Sequence, residues 1–153
     1  METSQEKARR REVNSLFVDT FNSVLRIEEM ALKNRLTSNL TISEIHTINA
    51  IGLDGASPMN VVAGRLGVTL ATLNASVGKL VDKGFAARTK SEVDRRQVLV
   101  SLTKEGRKAY RVHEAFHREM VDAALDGLTP EEEDAFARGL VKVKAFFESR
   151  AAQ

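Results

Sequence analysis

FAARTKSEVDRRQVLVSLT, Phe85 to Thr103, is where the periodicity of this chain changes. In Gln97-Val98-Leu99-Val100-Ser101-Leu102 apolar continuity mixes with alternation, and Phe85 to Thr89 supplies a partner strand. Between them lies a charged loop, TKSEVDRR. Two strands around a basic loop take their meaning from what precedes them.

Two short helices come immediately before. GASPMNVVAGRLG has Ser57 as N-cap, Pro58 at the first helical position and Gly67 as a stop. VTLATLNASVGKLVDKG begins at the N-cap Thr69 and ends at Gly84. Joined by a tight turn, they predict a helix-turn-helix with a core of Val61, Val62, Leu66, Leu73, Val77 and Leu80. A helical hairpin of this size is common. Followed by strand, basic loop and strand, it predicts a winged helix.

Long helices flank this module. Leu16, Phe17, Phe21, Val24, Leu25 and Ala31 recur at helical spacing and predict an amphipathic helix from about Glu6 to Asn34. NLTISEIHTINAIG carries a capping pattern, Thr41 with Glu44, and stops at Gly52. Thr103 caps TKEGRKAYRVHEAFHREMVDAALDG, and Thr129-Pro130-Glu131-Glu132 opens a last helix running to about Arg150. The expected fold is mainly α with a small β-wing: a winged helix-turn-helix with N- and C-terminal dimerisation helices. It forms a single domain over 1–153, with about 41–103 as the DNA-binding module and about 6–36 and 104–150 as the dimerisation helices.

Composition narrows the function. The chain has 153 residues, no cysteine and a formal net charge of +2. Without thiols there are no disulfides, thiolate metal sites or thiol redox switches. No apolar run is long enough to span a membrane, and METSQEKARRRE carries charge where a signal peptide needs an apolar segment; a cytoplasmic protein is expected. From Ala56 to Thr103 seven basic residues face three acids, while the flanks together are slightly acidic. A basic centre is the electrostatic footprint of a nucleic-acid-binding module.

Asp94-Arg95-Arg96, a strand, and then Leu102-Thr103-Lys104-Glu105-Gly106 resemble the MarR family of bacterial transcription regulators, whose pattern there is D-x-R, a short strand and L-T-x-x-G. LVDKGFAAR resembles the family's passage from helix end to strand, and element order agrees along the whole chain. The resemblance implies that Arg96 enters the minor groove and that Asp94 positions it; Arg95 is then a phosphate contact. An arginine suits a narrow minor groove because the potential there is most negative, and a carboxylate two residues away could hold the guanidinium by a bidentate pair. On the second helix of the pair, Ala71, Thr72, Ala75, Gly78 and Lys79 face outward, with Asn74 and Ser76 at the margins. Thr69, Ala71, Thr72, Asn74, Ala75 and Lys79 are the expected DNA contacts on this helix, Lys79 through phosphate and the small residues at base edges. Small apolar contacts and a minor-groove arginine favour an A·T-rich palindrome. Gly78 weakens its helix by roughly 1 kcal/mol relative to alanine, and close approach to another surface is one reason to keep it. The stripe of the first helix and Phe136, Leu140, Val143 and Phe147 on the last predict a homodimer, which sets two recognition helices about 34 Å apart.

One motif points elsewhere. HEAFH, His113 to His117, spells the H-E-x-x-H of zinc hydrolases. A peptidase needs a third ligand and an open coordination position; the extended form asks for glycine at 120 and histidine at 123, where this chain has Met120 and Ala123. No enzymatic activity is expected. The resemblance instead implies an effector site between the dimer helices and the DNA-binding lobe. Its expected residues are Phe17, Phe21, Val24, Glu28, His46, His113, Phe116, His117 and Met120, with Glu29, Ile48 and Ile51 as further candidates.

Two branches of the family fit. FNSVLRIEEMAL, SEIHTINAIG, VTLATLNASVGKL and HEAFHREM are similar, segment by segment, to the fatty-acid-synthesis repressor branch. That resemblance implies a repressor that takes a long acyl chain, presented on acyl carrier protein, as corepressor and needs no cofactor. Burial in an apolar pocket would supply about 0.8 kcal/mol per methylene. The zinc-uptake repressor branch implies the alternative, Zn²⁺ held by Glu28, His46, His113 and His117, since neutral imidazoles with one carboxylate suit that ion.

Overall fold

The computed structural model describes residues 3–34 and 39–151, with 31–34 and 151 described by backbone alone. Helix α1 spans Ser4–Asn34, α2 Ile42–Ile51, α3 Met59–Leu66, α4 Leu70–Asp82, α5 Lys104–Leu125 and α6 Pro130–Ala151; strands β1, β2 and β3 are Ser57–Pro58, Ala86–Lys90 and Val98–Leu102. This is a winged helix-turn-helix. The predicted side-chain role of Ala31 and the end of the N-terminal segment at 35–36 lie outside the described residues.

Local chemistry sets most boundaries. Thr41 and Glu44 form a reciprocal capping box at the start of α2, each side chain accepting from the other's backbone N–H. α3 stops at Gly67, which takes a left-handed conformation (φ +65°), and the chain turns by 104° into α4. That angle lies within the helix-turn-helix range. α4 starts where the Thr69 hydroxyl accepts from Thr72 N–H. It ends in a Schellman arrangement, Phe85 N–H reaching Leu80 O at 2.8 Å around Gly84 (φ +79°).

The wing differs from expectation in one element. Ser57 is not the N-cap of α3 and Pro58 is not its first helical residue; the two pair with Val100 and Leu99 as β1, giving the antiparallel order β1-β3-β2. The N-cap of α3 is Pro58, which makes no side-chain cap. Pro58 suits an edge strand, where no ladder hydrogen bond is asked of it. β2 and β3 pair from Ala86↔Leu102 to Lys90↔Val98.

Ile45, Ile48 and Ile51 of α2 pack with Val62, Leu73, Val77, Leu80 and Val100, all essentially inaccessible. Four of the six predicted core residues are buried and Leu66 is half-buried. Val61 is 41% exposed, because the buried face of α3 is Met59, Val62, Ala63 and Leu66, a stripe that skips it.

Packing divides the chain into two compact units, Met1–Phe116 and His117–Gln153, with the division inside α5. In the first unit Leu16, Phe17, Phe21 and Leu25 of α1 are exposed, and Phe17 and Phe21 stack with centroids 6.3 Å apart. In the second, Phe136, Leu140, Val141, Phe146 and Phe147 of α6 are exposed. No single described helix is long and apolar enough to cross a membrane.

Candidate nucleic-acid interface and a buried carboxylate cluster

α4 presents Ala71, Thr72, Asn74, Ala75 and Lys79 as an exposed face, while Leu73, Val77 and Leu80 point into the core. Ala71, Thr72, Ala75 and Lys79 are outward as the sequence predicts; Gly78, expected among them, is half-buried, and Asn74, expected at the margin, is exposed. At its start the Thr69 and Thr72 hydroxyls lie 2.9 Å apart, so the two side chains are ordered together. Gly78 is not a point of close approach in the free chain: a β-carbon there would meet only the Arg88 guanidinium, at 4.0 Å. Arg88 was not among the residues predicted to matter. Its Nη2 donates to the Asn74 carbonyl at 2.8 Å, which ties β2 to the middle of α4.

The wing tip is ordered through its backbone. Ser91 Oγ accepts from Asp94 N–H at 3.2 Å, and Asp94 Oδ1 accepts from Arg96 N–H at 3.0 Å. Gln97 N–H reaches Asp94 O, and Ser91 N–H reaches Gln97 O. Asp94 therefore acts on the turn itself and not, as predicted, on the guanidinium of Arg96. The consequence for position is similar, because a fixed turn fixes where Arg95 and Arg96 emerge; both are exposed. A cleft of about 340 Å³ between wing and α4 is lined by Asn60, Asn74, Asp94, Arg96 and Gln97, among others.

The L-T-x-x-G stretch joins the wing to α5. Thr103 Oγ1 donates to Gly84 O at 2.7 Å and accepts from Gly106 N–H at 3.2 Å, while Thr103 N–H reaches Phe85 O. One threonine thus caps α5 and holds the exit of α4.

Farther along α5, the buried His113 bonds through Nε2 to Oε1 of the buried Glu28 of α1. His46 of α2, half exposed at its side chain, brings its own Nε2 to the same oxygen at 3.3 Å. The two imidazole rings meet edge-on at 5.7 Å. A carboxylate only accepts, so each Nε2 carries the proton it donates. Burial alone would raise the Glu28 carboxyl; the His113 hydrogen bond and the charges of both histidines outweigh it and hold the group below its ordinary value. Sequence alone placed these residues near each other only through family resemblance, for they are 18 and 67 positions apart along the chain.

Of the other predicted effector residues, Val24, Phe116, His117 and Met120 are half-buried, and Phe17 and Phe21 are exposed. His117 follows His113 by one turn of α5. Ile48 and Ile51 belong to the core. Glu114, the would-be catalytic base of H-E-x-x-H, is exposed. A groove of about 280 Å³ has His46, Ser43 and Thr47 of α2 on one side and Thr72 and Ser76 of α4 on the other.

A second buried carboxylate, Glu44, accepts from Lys83 Nζ at 2.9 and 2.8 Å through its two oxygens. Lys83 also donates to Asn39 O at 2.5 Å. Burial works against ionisation of Glu44, and Lys83 with the Thr41 cap more than offsets it, so this carboxyl too lies below its ordinary value.

Comparison with known proteins agrees with this architecture. A profile of the MarR family matches residues 38–97. The uncharacterised HTH-type transcriptional regulator YhjH of Bacillus subtilis is 30% identical over 121 residues, 76% of this chain and 67% of that protein. YfiV of the same organism is 28% identical over 103 residues, covering 67% and 64%. The chain spans about two thirds of the length of these relatives. Among solved structures, Streptococcus pneumoniae FabT in complex with DNA is 37% identical with a TM-score of 0.82, over 92% of this chain and 98% of that one. Apo MarR from E. coli shares the fold at 22% identity, with a TM-score of 0.61 over 85% and 95%. The chain belongs to the MarR family of DNA-binding transcriptional regulators and is not an enzyme.

Proposed function

We propose that this protein is a homodimeric repressor of fatty-acid synthesis genes whose hold on an A·T-rich palindrome is strengthened by a long acyl chain presented on acyl carrier protein. The observation that carries the reading is the similarity to FabT along nearly the whole of both chains, in a structure of that protein bound to DNA. The exposed apolar residues of α1 and of α6 support the dimer, since large exposed apolar patches mark interaction surfaces. In the dimer two copies of α4 would enter successive major grooves, with Arg96 of each wing in the flanking minor groove. Phe17, Phe21, Val24 and Phe116 would line the apolar path of the acyl chain, and the groove joining His46 to Thr72 and Ser76 offers a route from that site to the recognition helix.

Glu28 favours a second reading, in which the ligand is Zn²⁺. Two imidazole nitrogens already converge on one carboxylate oxygen, a donor set suited to zinc once both nitrogens are deprotonated, with His117 one turn further on as a fourth donor. Gel shifts on the promoter of its own gene, with acyl–acyl carrier protein or with zinc added, separate the two. Tighter binding with the acyl protein and no response to zinc supports the first reading; the converse supports the second.

A further inference from the structure

We propose that Arg88 is a DNA-contacting residue, a cation lent by strand β2 to the recognition helix. The outward face of α4 is short of charge, since Lys79 is its one basic residue and that lies near its C-terminal end. Arg88 sits on β2 yet is anchored on α4, its Nη2 bonded to the Asn74 carbonyl and lying 4.0 Å from where a β-carbon on residue 78 would be. Both neighbours belong to the helix face that meets DNA. A β-carbon at residue 78 would be in ordinary contact with the guanidinium, which therefore lies against the helix at this point.

A guanidinium has five N–H donors, and the Asn74 carbonyl takes a bond from Nη2. Arg88 is exposed, which leaves the remaining donors in reach of a phosphate. Its anchored geometry lowers the entropy lost on binding relative to a free surface lysine. Alternation along β2 places Lys90 on the same side of the strand, toward the wing tip where Arg95 and Arg96 emerge. A line of positive charge thus runs from the middle of the recognition helix to the wing tip, along which one DNA strand can be followed. The contact is with phosphate and carries no base preference.

The inference rests on DNA binding by this face, and the test distinguishes failure of that premise from failure of the inference. Full-length wild type and Arg88→Gln are titrated with operator DNA from about 0.05 to 0.3 M salt. Neutralising one phosphate contributes about 0.9 to the slope of log K against log salt, so the variant's slope should be shallower by about 0.9 per bound chain, with roughly eightfold weaker binding per chain at 0.1 M salt. Arg88→Lys should retain most of the slope. An unchanged slope in a folded Arg88→Gln would overturn the inference and leave Arg88 as a strut between β2 and α4. Absence of specific binding by wild type would instead sink the premise. Should Arg88→Gln not fold, dicarbonyl modification of wild-type arginines followed by peptide mapping decides the matter. Protection of Arg88 by DNA is expected, and equal reactivity with and without DNA refutes the contact.

Discussion

Gly106, in the first turn of α5, lies so close to the Phe85 backbone that a β-carbon on residue 106 would overlap the Phe85 carbonyl oxygen and come within 3.1 Å of its carbon and 3.2 Å of Leu102 Cδ2. Backbone cannot swing aside as a flexible side chain can. The glycine of L-T-x-x-G is therefore a packing requirement, and it seats α5 directly on the exit of the recognition helix. Gly106→Ala should destabilise the fold by about 3 kcal/mol, as overpacking against rigid neighbours does. Gly78→Ala is its contrast: with 4.0 Å of room it should gain about 0.5–1 kcal/mol from helix propensity. Urea denaturation of both variants checks the pair, and similar stabilities would refute the distinction.

Thr103 makes two side-chain bonds at the same junction. Thr103→Val keeps the shape and removes both, so a loss of about 1–2 kcal/mol is expected by denaturation. If α5 transmits a ligand signal through this joint, the variant should also blunt the effect of ligand on DNA affinity.

Lys83 neutralises the buried Glu44 and reaches the Asn39 carbonyl beyond the start of α2. Lys83→Met strands a buried carboxylate and should cost about 2–3 kcal/mol. The double variant Lys83→Met/Glu44→Gln should recover part of that loss, and strictly additive losses would show that the two do not interact.

Acid should unfold the protein through both buried carboxylates. Glu28 and Glu44 have folded pKa values below the ordinary 4.5, so the unfolded chain binds more protons than the folded one in that range. Their stabilisation is fully present above about pH 4.5 and is lost as pH falls through the folded values. Glu28→Gln should show a shallower fall in thermal stability below that pH. An acid profile parallel to that of wild type would mean Glu28 is not linked to folding.

How much of this could be read from the sequence depends on how local each feature is. The caps at Thr41, Thr69 and Thr103 and the stops at Gly67 and Gly84 are legible, because each depends on residues within one turn. β1 was not: Ser57-Pro58 has the composition of a helix start, and only pairing with Leu99 and Val100 makes it a strand. The arrangement of Glu28, His46 and His113 around one oxygen needed three helices brought together. Arg88 was missed for a related reason, since its partner on α4 lies 14 residues away on another element. The wing motif points to Asp94 but not to its partner: its carboxylate accepts from the backbone N–H of Arg96 and not from a guanidinium.

His46 and His113 converge on one buried carboxylate, and that arrangement says what their loss should do. His113→Ala or His46→Ala, with His117→Ala beside them, should change ligand response far more than basal operator affinity, as measured by titration with and without ligand. Equal change in both would make the cluster a structural support only.

The central claim is that this chain binds specific DNA as a ligand-controlled dimer. A quantitative gel shift of the full-length protein on its own promoter, with and without long-chain acyl–acyl carrier protein, tests it most directly. A specific complex of two chains per site that tightens with the acyl protein and is lost in Arg96→Ala is the predicted result. No sequence-specific complex under either condition would contradict it.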